Sequence, residues 1–124
     1  MDRFVEIVDS NAVRDVSMVG SPEYRKYATT RQEWAKQNFY PKNGVVGQVM
    51  GEAQAREGLL YLVQVSNNIM VAIRPNGIRD ISFAEANRRY SQNMIIGYVF
   101  GEKSRQEGLK SALDDLDKML QGFI

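Results

Sequence analysis

The chain has neither cysteine nor histidine, and these two absences remove more chemistry than any motif in it adds. Without thiols there is no disulfide framework and no cysteine nucleophile. Without imidazole the Ser/His and Cys/His nucleophile systems and the usual zinc sites are excluded as well. Any catalysis must then rest on carboxylates, lysine, tyrosine or a carboxylate-bound hard metal. No apolar run reaches the roughly 18 to 20 residues of a membrane span. The opening stretch, Met1-Asp-Arg-Phe-Val-Glu-Ile-Val8, is too acidic and interrupted for a signal peptide. A cytoplasmic setting with no membrane partner is expected. Charge excess is also missing, because sixteen basic residues stand against fifteen acidic ones for a net charge of +1. A strongly basic face for nucleic acid is not visible in that total, though a local patch could hide in it.

What is present has an ordinary globular balance, 44% hydrophobic and 25% charged. A length of 124 residues suits a single domain over 1–124, with an N-terminal strand or arm over 1–20 and a C-terminal helix over 109–124. The most informative feature is a repetition. Tyr40-Pro-Lys-Asn-Gly-Val-Val-Gly-Gln-Val-Met-Gly-Glu-Ala-Gln-Ala-Arg-Glu-Gly-Leu59 returns as Tyr90-Ser-Gln-Asn-Met-Ile-Ile-Gly-Tyr-Val-Phe-Gly-Glu-Lys-Ser-Arg-Gln-Glu-Gly-Leu109. Nine of the twenty positions are identical, where average residue usage gives roughly one or two. Upstream of each copy, Thr30-Arg-Gln-Glu33 and Ser82-Phe-Ala-Glu85 both have the capping-box form. Together these predict a duplicated helix–strand–loop unit over 30–59 and 82–109.

In chain order, Arg3 to Val8 is β-branched and aromatic, as a short strand requires. Ala12 to Val19 fits either a second strand or one turn of helix. Ser21-Pro22-Glu23 opens a helix with an N-cap, a first-turn proline and an acid at the positive dipole end. The capping box at Thr30 restarts that helix, and Pro41 stops it at Tyr40. Strands are predicted over Val45–Met50, Leu59–Ser66, Ile69–Arg74 and Ile78–Ile81, with a loop from Gly51 to Gly58. Asn67-Asn68 suits a tight hairpin turn and Pro75-Asn76-Gly77 a type I turn. With Ser66 facing Ile69, one hairpin face carries Tyr61, Val63, Val65, Met70 and Ala72. The other then carries Leu62, Gln64, Ile69, Val71 and Ile73. Both are apolar, so one is core and the other must be covered by a helix or a partner. The second copy predicts a helix from Phe83 to about Arg89 and a strand over Met94–Phe100. Leu109, Leu113, Leu116, Leu120 and Phe123 then recur at helical spacing.

The layout from Gly44 to Ile81 resembles small SH3-like barrels: a Gly-x-Val strand, a glycine-bounded loop, a tight hairpin and a brief strand after a Pro-x-Gly turn. The resemblance implies a binding module for peptides, RNA or neighbouring subunits. Its peptide-binding members carry an acidic loop beside paired aromatics, which this sequence lacks.

Three groups carry candidate chemistry. Glu52, Glu57, Glu102 and Glu107 lie in equivalent loops and could together hold a hard cation or act as an acid/base pair. Equally, they are solvated turn residues pairing with Arg56 and Arg105. Arg74, Arg79, Arg88 and Arg89, close to Tyr90, could form a phosphate-facing strip for single-stranded nucleic acid, although Asp80 and Glu85 stand among them. For a protein partner, Ile69, Val71 and Ile73 on the second hairpin face, with Trp34 and Tyr40, are the candidate contacts; the aromatics would equally serve as core. The glycine pairs Gly47/Gly51 and Gly97/Gly101 match no phosphate-loop pattern.

These observations predict an α+β domain with a small bent sheet or SH3-like barrel, flanked by helices near 22–38, 83–90 and 109–121. The expected function is non-enzymatic, with no cofactor: an adaptor or assembly module working through protein contacts or self-association. A phage or mobile-element origin suits so motif-poor a chain. The alternatives are the nucleic-acid module and the carboxylate-dependent metal site or enzyme.

Overall fold

A computed structural model describes residues 2–15 and 22–98. Six antiparallel strands form one sheet in the order β2-β5-β4-β3-β1-β6. They are β1 (Phe4–Ile7), β2 (Val13–Arg14), β3 (Val46–Ala55), β4 (Gly58–Gln64), β5 (Met70–Ile73) and β6 (Ile78–Ile81). Among the described residues three α-helices accompany them: α1 (Arg31–Lys36), α2 (Phe83–Arg89) and α3 (Asn93–Gly97). The domain is therefore α+β. In a flat sheet β5 and β6 would stand four strand spacings apart, about 19 Å. Yet the link between them is only Arg74 to Gly77, with Pro75–Gly77 wound into a 3-10 turn. So short a link reaches only if the sheet curls into a partial barrel.

The inner face of the curl is the main core. Val5 and Ile7 of β1, Val63 of β4, Val71 and Ile73 of β5, and Val65 and Ile69 beside them pack with Trp34 and Phe39. Helix α1 delivers Trp34 because its N-terminus is locked by a complete capping box. The Thr30 hydroxyl accepts from the Glu33 N–H at 3.2 Å, and the Glu33 carboxylate accepts from the N–H groups of Thr30 and Thr29. The indole N–H of Trp34 in turn donates to the carbonyl of Ala28 at 3.0 Å. An aromatic ring is thus buried with its polar edge satisfied.

Several expectations change. The β4–β5 register pairs Val63 with Val71 and Gln64 with Met70, one residue from the predicted alignment. The connection is Ser66-Asn67-Asn68 rather than two residues, because Val65 N–H already bonds to the carbonyl of Ile69 at 3.0 Å. A one-residue slip moves a strand's side chains to the opposite face, so Val63 and Val65 join Val71 and Ile73 inside. Leu60, Leu62, Met70 and Ala72 form the second buried face, and the chain itself covers it with Tyr24 and Tyr27. Tyr24 donates its hydroxyl to the Met50 carbonyl at 2.9 Å and lies so close over Gly51 that a β-carbon there would collide with it. The β3–β4 register shifts at this same point, between Val49 and Gly51.

The loop predicted for Gly51–Gly58 is instead the second half of β3 and a tight turn at Arg56-Glu57. Gly58, at φ 116°, supplies the left-handed backbone that ends it. The long helix predicted from Pro22 is a 3-10 turn at Pro22–Tyr24 followed by the separate α1. Over its described part, the strand predicted for Met94–Phe100 is helix α3 plus a bridge from Tyr98 to Phe39. The two copies of the repeat therefore differ here: positions 44–47 turn into a strand, and 94–97 are helical. The helix of the first copy does not reach Tyr40, where Pro41 predicts its end: α1 stops at Lys36, and Asn38, at φ 55°, turns the chain away. In the second copy α2 is followed directly by a 3-10 turn at Tyr90–Gln92 and by α3. The predicted helix over 109–121 and most of the arm beyond Asp15 lie outside the described residues.

Asn93 fastens this helical run to the sheet. Its side chain accepts from the Val46 N–H at 2.8 Å and donates to the carbonyls of Val46 and Val65, both at 2.7 Å. All three backbone groups are buried and lose their partner if the amide goes. Asn93→Ala should lower the unfolding free energy by about 3 kcal/mol or more, read by urea denaturation, and Asn93→Asp should not rescue it because it cannot donate. A loss below about 1 kcal/mol would mean that water replaces the amide.

Candidate functional site

On the outer face of the sheet, beside the tyrosine-covered patch, α2 and the strands enclose a groove of about 220 Å³. Ser82 caps α2 by accepting from the Glu85 N–H at 3.1 Å. Phe83, Ala86, Asn87 and Tyr90 come at spacings of three, one and three, which puts them on one helical face. They form one wall. Ala86, small and buried, lets the helix approach the strands. The floor is Gln48 of β3 and Gln64 of β4, Cα partners across the ladder, so their side chains stand together on this face. Phe4 of β1 closes one side, its ring 5.2 Å from that of Phe83 at an interplanar angle of 58°.

One end of the groove wall is held by charge. Glu6 of β1 accepts from Arg89 at 2.8 Å and also from Arg79. Arg89 additionally donates to the Gly44 carbonyl at 2.9 Å. The hydrogen bond from Arg89, aided by Arg79, holds the Glu6 carboxyl below the ordinary glutamate value of 4.5 against the opposing effect of its partial burial. Burial pushes the Tyr90 phenol up from its usual value. At the other end Phe83 is 63% exposed.

The residues singled out in the sequence lie elsewhere or are already engaged. Glu52 is exposed on β3, while Glu57 sits in the turn, bonded to Arg74 and, at 3.1 Å, to Arg14. Those two arginines, Arg74 first, hold its carboxyl below its ordinary value. Glu102 and Glu107 lie outside the described residues, and among the described residues no cluster of three metal-ligating acids occurs. Each of the four arginines is paired: Arg74 with Glu57, Arg79 and Arg89 with Glu6, Arg88 with Glu85 at 2.8 Å. The strip exists as neighbours, but carboxylates are built into it. Ile69, Val71, Ile73 and Trp34 are core side chains, each at most 1% exposed, and present no surface to a partner. Tyr40 is half-buried, its N–H donating to the Gly97 carbonyl at 2.6 Å.

Sequence reasoning missed the groove. Phe83 and Tyr90, seven apart after a capping serine, were the legible part. Nothing in the sequence brings Phe4 to Phe83, or marks the two glutamines as neighbours. Comparison with protein-family models, curated proteins and solved structures gives no match.

Because the folded Glu6 carboxyl titrates below its unfolded value, its ion pairs contribute stability above about pH 4.5 that is lost as pH falls through the folded value. In pH-dependent melts, Glu6→Gln should therefore show a shallower fall on the acid side than the parent chain. Parallel acid limbs would show that these pairs contribute nothing.

Proposed function

We propose that the chain is a non-enzymatic binding module that works through protein–protein contacts made by the α2–α3 side of the sheet. What carries this reading is the exposure of large apolar side chains along one helical run. Phe83 is 63%, Tyr90 43%, Met94 39% and Ile95 69% exposed. In monomers such residues are usually scattered, and clustered ones mark contact sites. The curled sheet with its 3-10 turn before the last strand is compatible with an SH3-like layout, a scaffold that commonly serves binding. The missing cysteine and histidine and the absence of an acidic cluster among the described residues favour binding over catalysis. Paired arginines weigh against the nucleic-acid alternative, since a phosphate strip needs uncommitted cations.

The test is a double substitution of exposed residues, Phe83→Ser with Ile95→Ser, which should leave the melting temperature unchanged. A light-scattering mass above 14.1 kDa, or a cross-linked partner protein, is expected for the parent chain and should disappear in the variant. A parent that stays monomeric without a partner, or a contact indifferent to both substitutions, would sink the reading.

A further inference from the structure

We propose that the α2–sheet groove receives a short, uncharged peptide segment, inserting one aromatic or branched aliphatic side chain between Phe4, Phe83 and Tyr90 while Gln48 and Asn87 bond its backbone. This inference rests on the reading of the chain as a protein-binding module and names what that module recognises. Three observations carry it.

The first is charge. The residues lining the groove are aromatic, aliphatic or amide-bearing, and none is ionisable at neutral pH. Charged residues nearby are engaged with one another, with Glu6 between Arg79 and Arg89, Glu85 on Arg88, and Arg3 on Asp80 at 2.7 Å. Among the described residues, a phosphate or a carboxylate entering here would meet only arginines already paired with carboxylates, and an ammonium only paired carboxylates. Burying an unpaired charge is costly, so the occupant is neutral.

The second is hydrogen-bonding capacity. Of the polar side chains lining the groove, the amides of Gln48 and Asn87 and the hydroxyl of Tyr90 bond to no described residue. Gln64 donates to the Ser66 carbonyl at 3.1 Å, which leaves its own carbonyl oxygen available. A carboxamide offers a donor and an acceptor together, the complement of a peptide group. Gln48 stands opposite Gln64 at the end of the β3–β4 ladder, so two such groups share one floor.

The third is size. About 220 Å³ is the space of one large side chain with its adjoining backbone, well short of the drug-sized range that begins at roughly 300 Å³. Anchor residues at protein interfaces fill pockets of this kind, and aromatic walls give them contact area without rotamer loss.

The probes are blocked tripeptides, N-acetyl-Ala-X-Ala-N-methylamide with X as Phe, Leu, Glu or Lys, and uridine monophosphate. Each is titrated into the full-length ¹⁵N-labelled chain while the side-chain amide signals of Gln48, Gln64 and Asn87 are followed. The Phe and Leu peptides should shift the Gln48 and Asn87 signals with a dissociation constant of about a millimolar. Phe83→Ala, at an exposed position, should weaken this by at least about tenfold, and Gln48→Ala by about threefold or more. Equal response to the Glu or Lys peptides, or stronger response to the nucleotide, overturns the proposal. So does silence from every neutral peptide, or a nuclear Overhauser contact showing that residues 109–124 fill the groove themselves. If a partner still binds through Phe83 and Ile95 while all peptides are silent, this inference falls and the protein-binding reading stands.

Discussion

The carboxamide of Asn93 does the work of a missing strand. β1 bonds to β3 through the backbone of Val45 and its alternate neighbours, so the N–H and carbonyl of Val46 point to the other side. There β4 would be the partner, but its last pairing with β3 is Gln64 with Gln48, and the chain then turns away. Asn93 fills the next rung, accepting from one group of Val46 and donating to the other. A backbone residue in a ladder makes the same exchange, and among side chains an amide has both functions. The arrangement ties a helix to the sheet by sheet chemistry. It also sets where the groove ends, since Tyr90 lies less than one turn before Asn93.

Electrostatics in the described residues is local and closed. Arginines that look like a basic strip in the sequence each meet a carboxylate, delivered by β1, by the β3–β4 turn or by the preceding turn of α2 itself. The Glu6–Arg89 pair is the one of consequence, because both side chains are mostly shielded, at 14% and 16% exposure. Pairs on the open surface, such as Arg88 with Glu85, contribute little. Neutralising the strip leaves the apolar run on α2 and α3 as the distinctive feature of that side.

How much of this was legible depends on whether the signal was local. The strands at Phe4, Met70 and Ile78, the capping box at Thr30, the serine cap at Ser82 and the extent of α2 are dictated by neighbours in sequence; the Glu85 carboxylate, which a second capping box needs, goes to Arg88 and Arg89 instead. The hairpin register was not, because Ser66, Asn67 and Asn68 all suit a turn and only tertiary packing decides how many enter it. Nor was the continuation of β3 through Ala55: Glu52 and Gln54 read as a loop, yet they alternate as one wet face of a strand whose other face holds Ala53 against Leu60. The candidate site was least legible of all. It joins β1, β3, β4 and α2, and its polar members are glutamine and asparagine, which no spacing rule singles out.

The repetition then means something other than duplication of a site. Asn43 and Asn93 are matched in sequence, and each accepts from a backbone N–H elsewhere in the fold: Asn43 from Ser10 at 2.7 Å, Asn93 from Val46. Tyr90 follows directly on α2, whereas Tyr40 lies beyond the end of α1 at Lys36. The two asparagines thus serve similar local chemistry, while the chain around them takes different conformations in the two copies. In the first copy α1 has ended at Lys36 before Tyr40, and the chain runs on into the central strand β3. In the second the chain is helical from Phe83 to Gly97 and lays Tyr90 and Asn93 against that very strand. Val46, Gly47 and Gln48 of one copy line the groove on the sheet side, and Phe83, Ala86, Asn87 and Tyr90 of the other form its helical wall.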